Sequence, residues 1–155
     1  EKMLMTIVGS DFAFWLGTKL TPNLVAKTVL GTPPGIIAVA NSDERLRVSQ
    51  FTSHILPISR RVQGIIADSA ISASLTRLNL ESVRVPSLLI SARDDLYGTF
   101  ASTQYTANGI PGAKFIGYDS GGHMLVGHND EVDAAISSFL KTPNDQTMAK
   151  PTTQN

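Results

Sequence analysis

A chain of 155 residues is long enough for one domain with a hydrophobic core and too short for two ordinary ones. Apolar side chains make up 42% and charged ones 17%, a globular balance. Thirteen basic and thirteen acidic residues cancel without forming a block of either sign, so no electrostatic footprint for nucleic acid or an anionic membrane is visible and a small, uncharged or mildly polar substrate is the easier partner. With no cysteine, disulfides, thiolate metal sites and a cysteine nucleophile are excluded. The compartment stays undecided, with the cytoplasm favoured.

The chain opens on Glu1 without a basic-then-apolar leader, and processing or cloning is expected to have set this terminus. Leu4, Val8, Phe12, Leu16 and Leu20 recur every fourth position, the stripe of a helix burying one face, which Gly9 and Ser10 bend or split. Thr21 before Pro22 and Thr32 before Pro33 are cap and first-turn signals for two short helices. The most apolar uncharged run, "TVLGTPPGIIAVANS", is broken by Pro33, Pro34 and Gly35 and falls short of a membrane span. Ser42, followed by Asp43 and Glu44, starts a further helix, with Leu46, Phe51 and Ile55 expected inward and the arginines outward. Pro57 interrupts it, and Ile58, Val62 and Ile65 resume a helical period. Residues 1–80 therefore read as almost wholly helical.

From Pro86 the texture changes. "SLLISA" is a strand-type run, Gly98 to Asn108 reads as a helix closed by Gly109, and "KFIGY" is a second strand. Both strands are apolar on both faces, as expected of a parallel sheet covered by helices. "NDEVDAAISSFL" has an N-cap, an acidic first turn and Val132, Ile136, Phe139 and Leu140 on one side, so a covering helix is expected. Residues 142–155 offer nothing to bury and read as a loose tail.

Asp94 and Asp95 follow the first strand immediately, and His123 follows the second within "GYDSGGHMLVGHNDEV". In a parallel α/β sheet both loops emerge at the carboxyl ends of adjacent strands, where such folds place their sites. An acid and a histidine can therefore meet. An imidazole acting as general base needs a carboxylate on its other nitrogen to fix its tautomer, so the pairing suits two members of a nucleophile, histidine and acid triad. Gly121 and Gly122 let the turn approach closely enough to present the ring.

"VRVPSLLISARDDLYG" and "IPGAKFIGYDSGGHMLVGHNDEVDAAISSFL" resemble the C-terminal part of α/β-hydrolase-fold proteins, over roughly residues 80 to 141. In that family one strand ends in an acid turn and a later one in a Gly-His loop. The resemblance implies that Asp95 is the triad acid and His123 the triad histidine, and that residues 1–80 are a helical cap roofing the pocket. The family's nucleophile sits on a Gly-x-Ser-x-Gly elbow, and no such segment occurs among these residues. Ser120 and Ser69 fail the pattern, having Tyr118 and Ala67 two positions before them. The implied protein is the C-terminal portion of a serine-type hydrolase of an ester or related small apolar substrate, needing no cofactor, and this chain alone is expected to be inactive. Esterase, carbon–carbon hydrolase and lactonase chemistry need a serine at the missing position; dehalogenase and epoxide hydrolase chemistry need an aspartate. A reading of another class is a non-catalytic hydrolase-like binding or assembly module.

Other candidates have plainer readings. Asp94 reads as a turn former or an outer acceptor rather than the triad acid. His128 beside the last helix and His54 on a cap helix read as solvated or satisfied side chains. No pair of histidines has metal-ligand spacing, so no metal is expected. Phe12, Phe14 and Trp15 line either an acyl pocket or a core. Only two strands are read, so the edge of "SLLISA" is expected to present unpaired backbone groups. Self-association, or association with a missing N-terminal half, follows from such an edge.

Overall fold

A computed structural model gives the architecture and describes residues 9–141. The expectations for Leu4 and Val8 and for the tail at 142–155 lie outside the described residues. Within them the protein is mixed α/β, with seven α-helices and a two-stranded parallel sheet. The helices are α1 (Asp11–Leu20), α2 (Pro22–Thr28), α3 (Pro34–Val39), α4 (Ser42–His54), α5 (Val62–Ser74), α6 (Thr99–Gly109) and α7 (Asn129–Lys141). The strands are β1 (Leu88–Ala92) and β2 (Lys114–Tyr118).

α1 starts directly after Gly9 and Ser10, where the Ser10 hydroxyl accepts from the Ala13 N–H at 3.3 Å and caps it. Asp11, in the first turn, accepts from both the N–H (2.9 Å) and the hydroxyl (2.8 Å) of Ser59. It thereby ties α1 to the short 3-10 turn Ile58–Arg60. Asn41, not Ser42, caps α4, its side chain accepting from the Glu44 N–H at 2.8 Å. Thr32 is no cap either. It is fully buried, and Pro33 takes the position before α3.

The interior of α4 is turned relative to its apolar pattern. Leu46 and Phe51 are 56% and 50% exposed, whereas Glu44 and Val48 are buried. The cause is electrostatic: Glu44 makes a bidentate pair with Arg47, through Nη2 at 2.7 Å and Nε at 3.2 Å, and both then bond to the loop after β2. A satisfied ion pair outcompetes two aromatic or aliphatic contacts for the inward face.

β1 and β2 run parallel in register from Leu88 opposite Lys114 to Ala92 opposite Tyr118, with α6 as the crossover. Phe100 of α6 meets Phe115 of β2 edge to face at 5.5 Å, and a Cβ on Gly117 would come within 3.0 Å of the Phe100 ring. Gly109 acts likewise as a packing glycine rather than a cap, since a Cβ there would meet Leu80 at 2.8 Å. The sheet is not covered on both faces among the described residues. Only Ser91 and Ala92 of β1 are buried, and Lys114 and Gly117 of β2 are exposed.

The principal core joins the two halves of the chain. Leu30 and Val48 of the helical region bury Val126 from the loop after β2, with Ile36, Ile37, Ala40, Ile55 and Met124 packed around them. Each such burial contributes about 1.5–3 kcal/mol. The helical region thus sits at the carboxyl ends of the strands. By contrast, α5 is exposed along its length after Val62, including Ile65, Ile66 and Ile71, and α7 leaves Ile136 and Leu140 exposed. Among the described residues no helix is long and apolar enough to cross a membrane.

Candidate active site

Two tight turns build the site. After β1, the Asp95 N–H donates to the Ala92 carbonyl (3.2 Å), the Gly98 N–H donates to the Asp95 carbonyl (2.9 Å), and the Asp95 Oδ1 accepts from the Tyr97 N–H at 2.8 Å. That last bond is an Asx turn, which holds the carboxylate in one rotamer. After β2, Gly121 and Gly122 adopt φ of 131° and 62°, which disfavour any side chain. A Cβ on Gly122 would also lie 2.7 Å from the Thr32 Cα. Asp94 locks this turn: its Oδ1 accepts from the Gly122 N–H at 2.8 Å and its Oδ2 from the Gly121 N–H at 3.4 Å.

These turns bring His123 Nδ1 to 3.0 Å from Asp95 Oδ2. The Asp95 side chain is 2% exposed and that of His123 is 48% exposed. A carboxylate only accepts, so Nδ1 carries the proton and the lone pair of the neutral ring lies on Nε2. Among the described residues no hydroxyl bonds Nε2. The ring is held from above by Tyr97, which meets it edge-on at 4.8 Å and whose hydroxyl donates to the Val29 carbonyl at 2.7 Å. The Gly31 carbonyl accepts from the N–H groups of both His123 (3.1 Å) and Leu96 (2.9 Å), so one carbonyl of the helical region fixes both turns. Gly31 has φ 56°, and a Cβ there would meet Tyr97 at 2.8 Å and the His123 Cβ at 2.9 Å.

Thr99, in the first turn of α6, donates a short hydrogen bond to the same Asp95 Oδ2 that faces His123, and its oxygen lies 3.3 Å from that of Ser91. Burial pushes the Asp95 carboxyl up, but the bonds from Thr99, His123 and the Tyr97 N–H together outweigh it and hold the group below its ordinary 3.8. A depressed carboxyl adds stability that is fully present above 3.8 and lost as pH falls through the folded value. Urea midpoints are therefore expected to drop as pH is lowered below about 3.8, and Asp95→Asn is expected to flatten that part of the curve. An unchanged slope in the variant would assign the acid sensitivity to other carboxylates.

A cavity of about 290 Å³ opens beside the pair, with Ser91, Ala92, Thr99 and Gly122 in its wall together with Asp95 and His123. Leu125, also at this cavity, has a left-handed φ of 50°, which costs about 1–2 kcal/mol and is imposed by the Val126 N–H donating to the Gly121 carbonyl at 2.8 Å.

The remaining candidates lie elsewhere. His128 stacks on Tyr118 at 4.0 Å and its Nδ1 is 3.2 Å from Glu131, while His54 is exposed at the end of α4. Phe12 is 68% exposed and Trp15 borders a separate cavity among the helices. Among the described residues no group of three histidine or acidic side chains is placed to hold a metal ion. Thr99, Tyr97, Gly31 and Thr32 were not read as site residues from the sequence. The signal for the first two lay in "DDLYGT", an Asx-turn pattern with a hydroxyl four residues after the acid.

The chain matches no family model, no curated protein and no solved structure.

Proposed function

We propose that the chain is the C-terminal portion of a serine-type α/β hydrolase that cleaves an ester or a related small apolar substrate. The observation that carries this reading is the 3.0 Å contact between a buried carboxylate and the Nδ1 of a half-exposed histidine, which leaves Nε2 free beside a cavity. In this reading a hydroxyl nucleophile from outside these residues attacks the acyl carbon. Nε2 of His123 takes its proton and returns it to the leaving group, and Asp95 stabilises the imidazolium without being protonated. Thr99 is a positioning residue acting through Asp95. Residues 1–80 form the cap in this reading, and its contacts to the site are the Gly31 carbonyl and the Val29 carbonyl, which accepts from the Tyr97 hydroxyl.

The test is to express the chain joined to the polypeptide encoded ahead of Glu1 and to assay an activated acetate ester. Turnover abolished by His123→Ala, with a Gly-x-Ser-x-Gly elbow in the added segment, supports the hydrolase. An added segment without a nucleophile, or turnover indifferent to His123→Ala, favours a non-catalytic binding or assembly module.

Association is expected in both readings. Among the described residues β1 has β2 on one side only, and Ile65, Ile71, Leu75, Leu78 and Leu140 are exposed. Size-exclusion chromatography with light scattering is expected to return a species heavier than 16.6 kDa for the isolated chain. A concentration-independent monomer would remove the association claim.

A further inference from the structure

A second cavity, of about 440 Å³, lies wholly within the helical region and shares no residue with the Asp95–His123 site. That volume is within the range of small-molecule pockets. Its walls are mainly apolar, with Val25, Leu30, Ile37, Val48 and Leu56 inside and Trp15 at the margin. Among the described residues its only charged ones are Lys19 and Arg45, both cationic.

Neither cation has a carboxylate partner among the described residues. The acids nearest in sequence are engaged elsewhere: Asp11 with Ser59, Asp43 with the Ser42 hydroxyl and Glu44 with Arg47. Arg45 uses Nη1 on the Ala40 carbonyl at 2.5 Å, at the end of α3, and Lys19 lies in the last turn of α1. A helix C-terminus offsets at most about half a charge, so a net positive potential remains over an apolar space.

We infer that this cavity binds a monocarboxylate with an alkyl or aryl body. The body lies among the aliphatic side chains and against Trp15, and the carboxylate is taken by Arg45 and Lys19. The inference does not depend on the hydrolase reading, because binding here needs neither Asp95 nor His123.

Trp15 is the chain's single tryptophan, so its emission reports occupancy directly. The 155-residue chain is titrated, below micellar concentrations, with decanoate, decan-1-ol and decyltrimethylammonium. Decanoate is expected to shift the Trp15 emission saturably and to bind at least tenfold more tightly than the other two. Shortening to octanoate is expected to weaken binding about fourfold per methylene removed. Lys19→Gln with Arg45→Gln is expected to cost decanoate tenfold or more and to leave decan-1-ol unchanged. Both cations are exposed, so the fold is retained, and circular dichroism checks that it is. Ser49→Phe, an exposed position on the wall, is expected to abolish the response by filling the space. Equal affinity for the three probes, or undiminished decanoate binding in the double glutamine variant, would overturn the assignment. So would decanoate binding lost in a folded His123→Ala variant, since the two cavities share no residue. No saturable response to any probe would remove the cavity as a binding site.

Discussion

Asp95→Asn is expected to lower ester turnover roughly ten-thousand-fold in a form of the protein that carries a nucleophile, with little change in KM. The geometry fixes why. Oδ1 faces the Tyr97 N–H and must remain an acceptor, so the amide NH₂ of an asparagine falls at the position of Oδ2, facing His123 Nδ1. A donor there forces Nδ1 to accept and moves the ring proton to Nε2, which is the wrong tautomer for a base. Thr99 loses no partner, because its hydroxyl can rotate to accept from the NH₂. The fold is therefore expected to survive while turnover does not. Steady-state kinetics with near-ultraviolet circular dichroism separates the two. A loss below tenfold would mean that the carboxylate does not set the tautomer.

Glu44→Ala is expected to destabilise the protein by about 2–3 kcal/mol in urea unfolding, a large effect for a residue with no place in the chemistry. Glu44 is buried and pulled below the ordinary carboxylate range, first by the Arg47 guanidinium and then, against its burial, by the Gly127 N–H. Removing it orphans that N–H (3.0 Å) and leaves Arg47 to hold the Met124 carbonyl (2.9 Å) alone. Arg47 is 31% exposed, so water relieves part of its loss, and the figure sits below that for a fully buried pair. The expected local signature is faster hydrogen exchange at the Gly127 amide. A double-mutant cycle with Arg47→Ala is expected to give a coupling of about 1–2 kcal/mol. Coupling near zero would show that the two side chains act independently.

The sequence and the structure agree most where a local rule has no competitor. The alternation of strand, helix and strand after Pro86 was legible because both strands are short and apolar and the helix between them is bracketed by Gly98 and Gly109. The meeting of Asp95 and His123 was legible because parallel strands send their loops to the same end. Boundaries set by a competing side chain were not. Asn41 outcompetes Ser42 as a cap, and Thr32, which reads as a cap, donates instead to the Leu30 carbonyl (2.8 Å) and accepts from the Met124 N–H (3.1 Å). Ile55 packs inward as expected, but Leu46 and Phe51 were misread because periodicity weighs only hydrophobicity, and a Glu44 paired with Arg47 can occupy an interior position that a lone charge cannot. The exposure of Ile65 in α5 and Leu140 in α7 has the same root: an apolar stripe specifies that something covers it, without specifying what.

The four polar bonds that fasten the histidine loop to the helical region, from His123, Met124 (two) and Gly127, join residues 77 to 92 positions apart, whereas β1 and β2 are joined through a single crossover helix. Closing long loops costs entropy before any contact compensates it, so non-local contacts form late in folding. The sheet and α6 can thus assemble early from neighbouring chain, while the ring of His123 stays unaimed until α2, α3 and α4 have docked. The speed at which the site matures is therefore set by residues 22–54, and a substitution there that leaves the finished protein unchanged can still delay the moment at which Asp95 and His123 first meet.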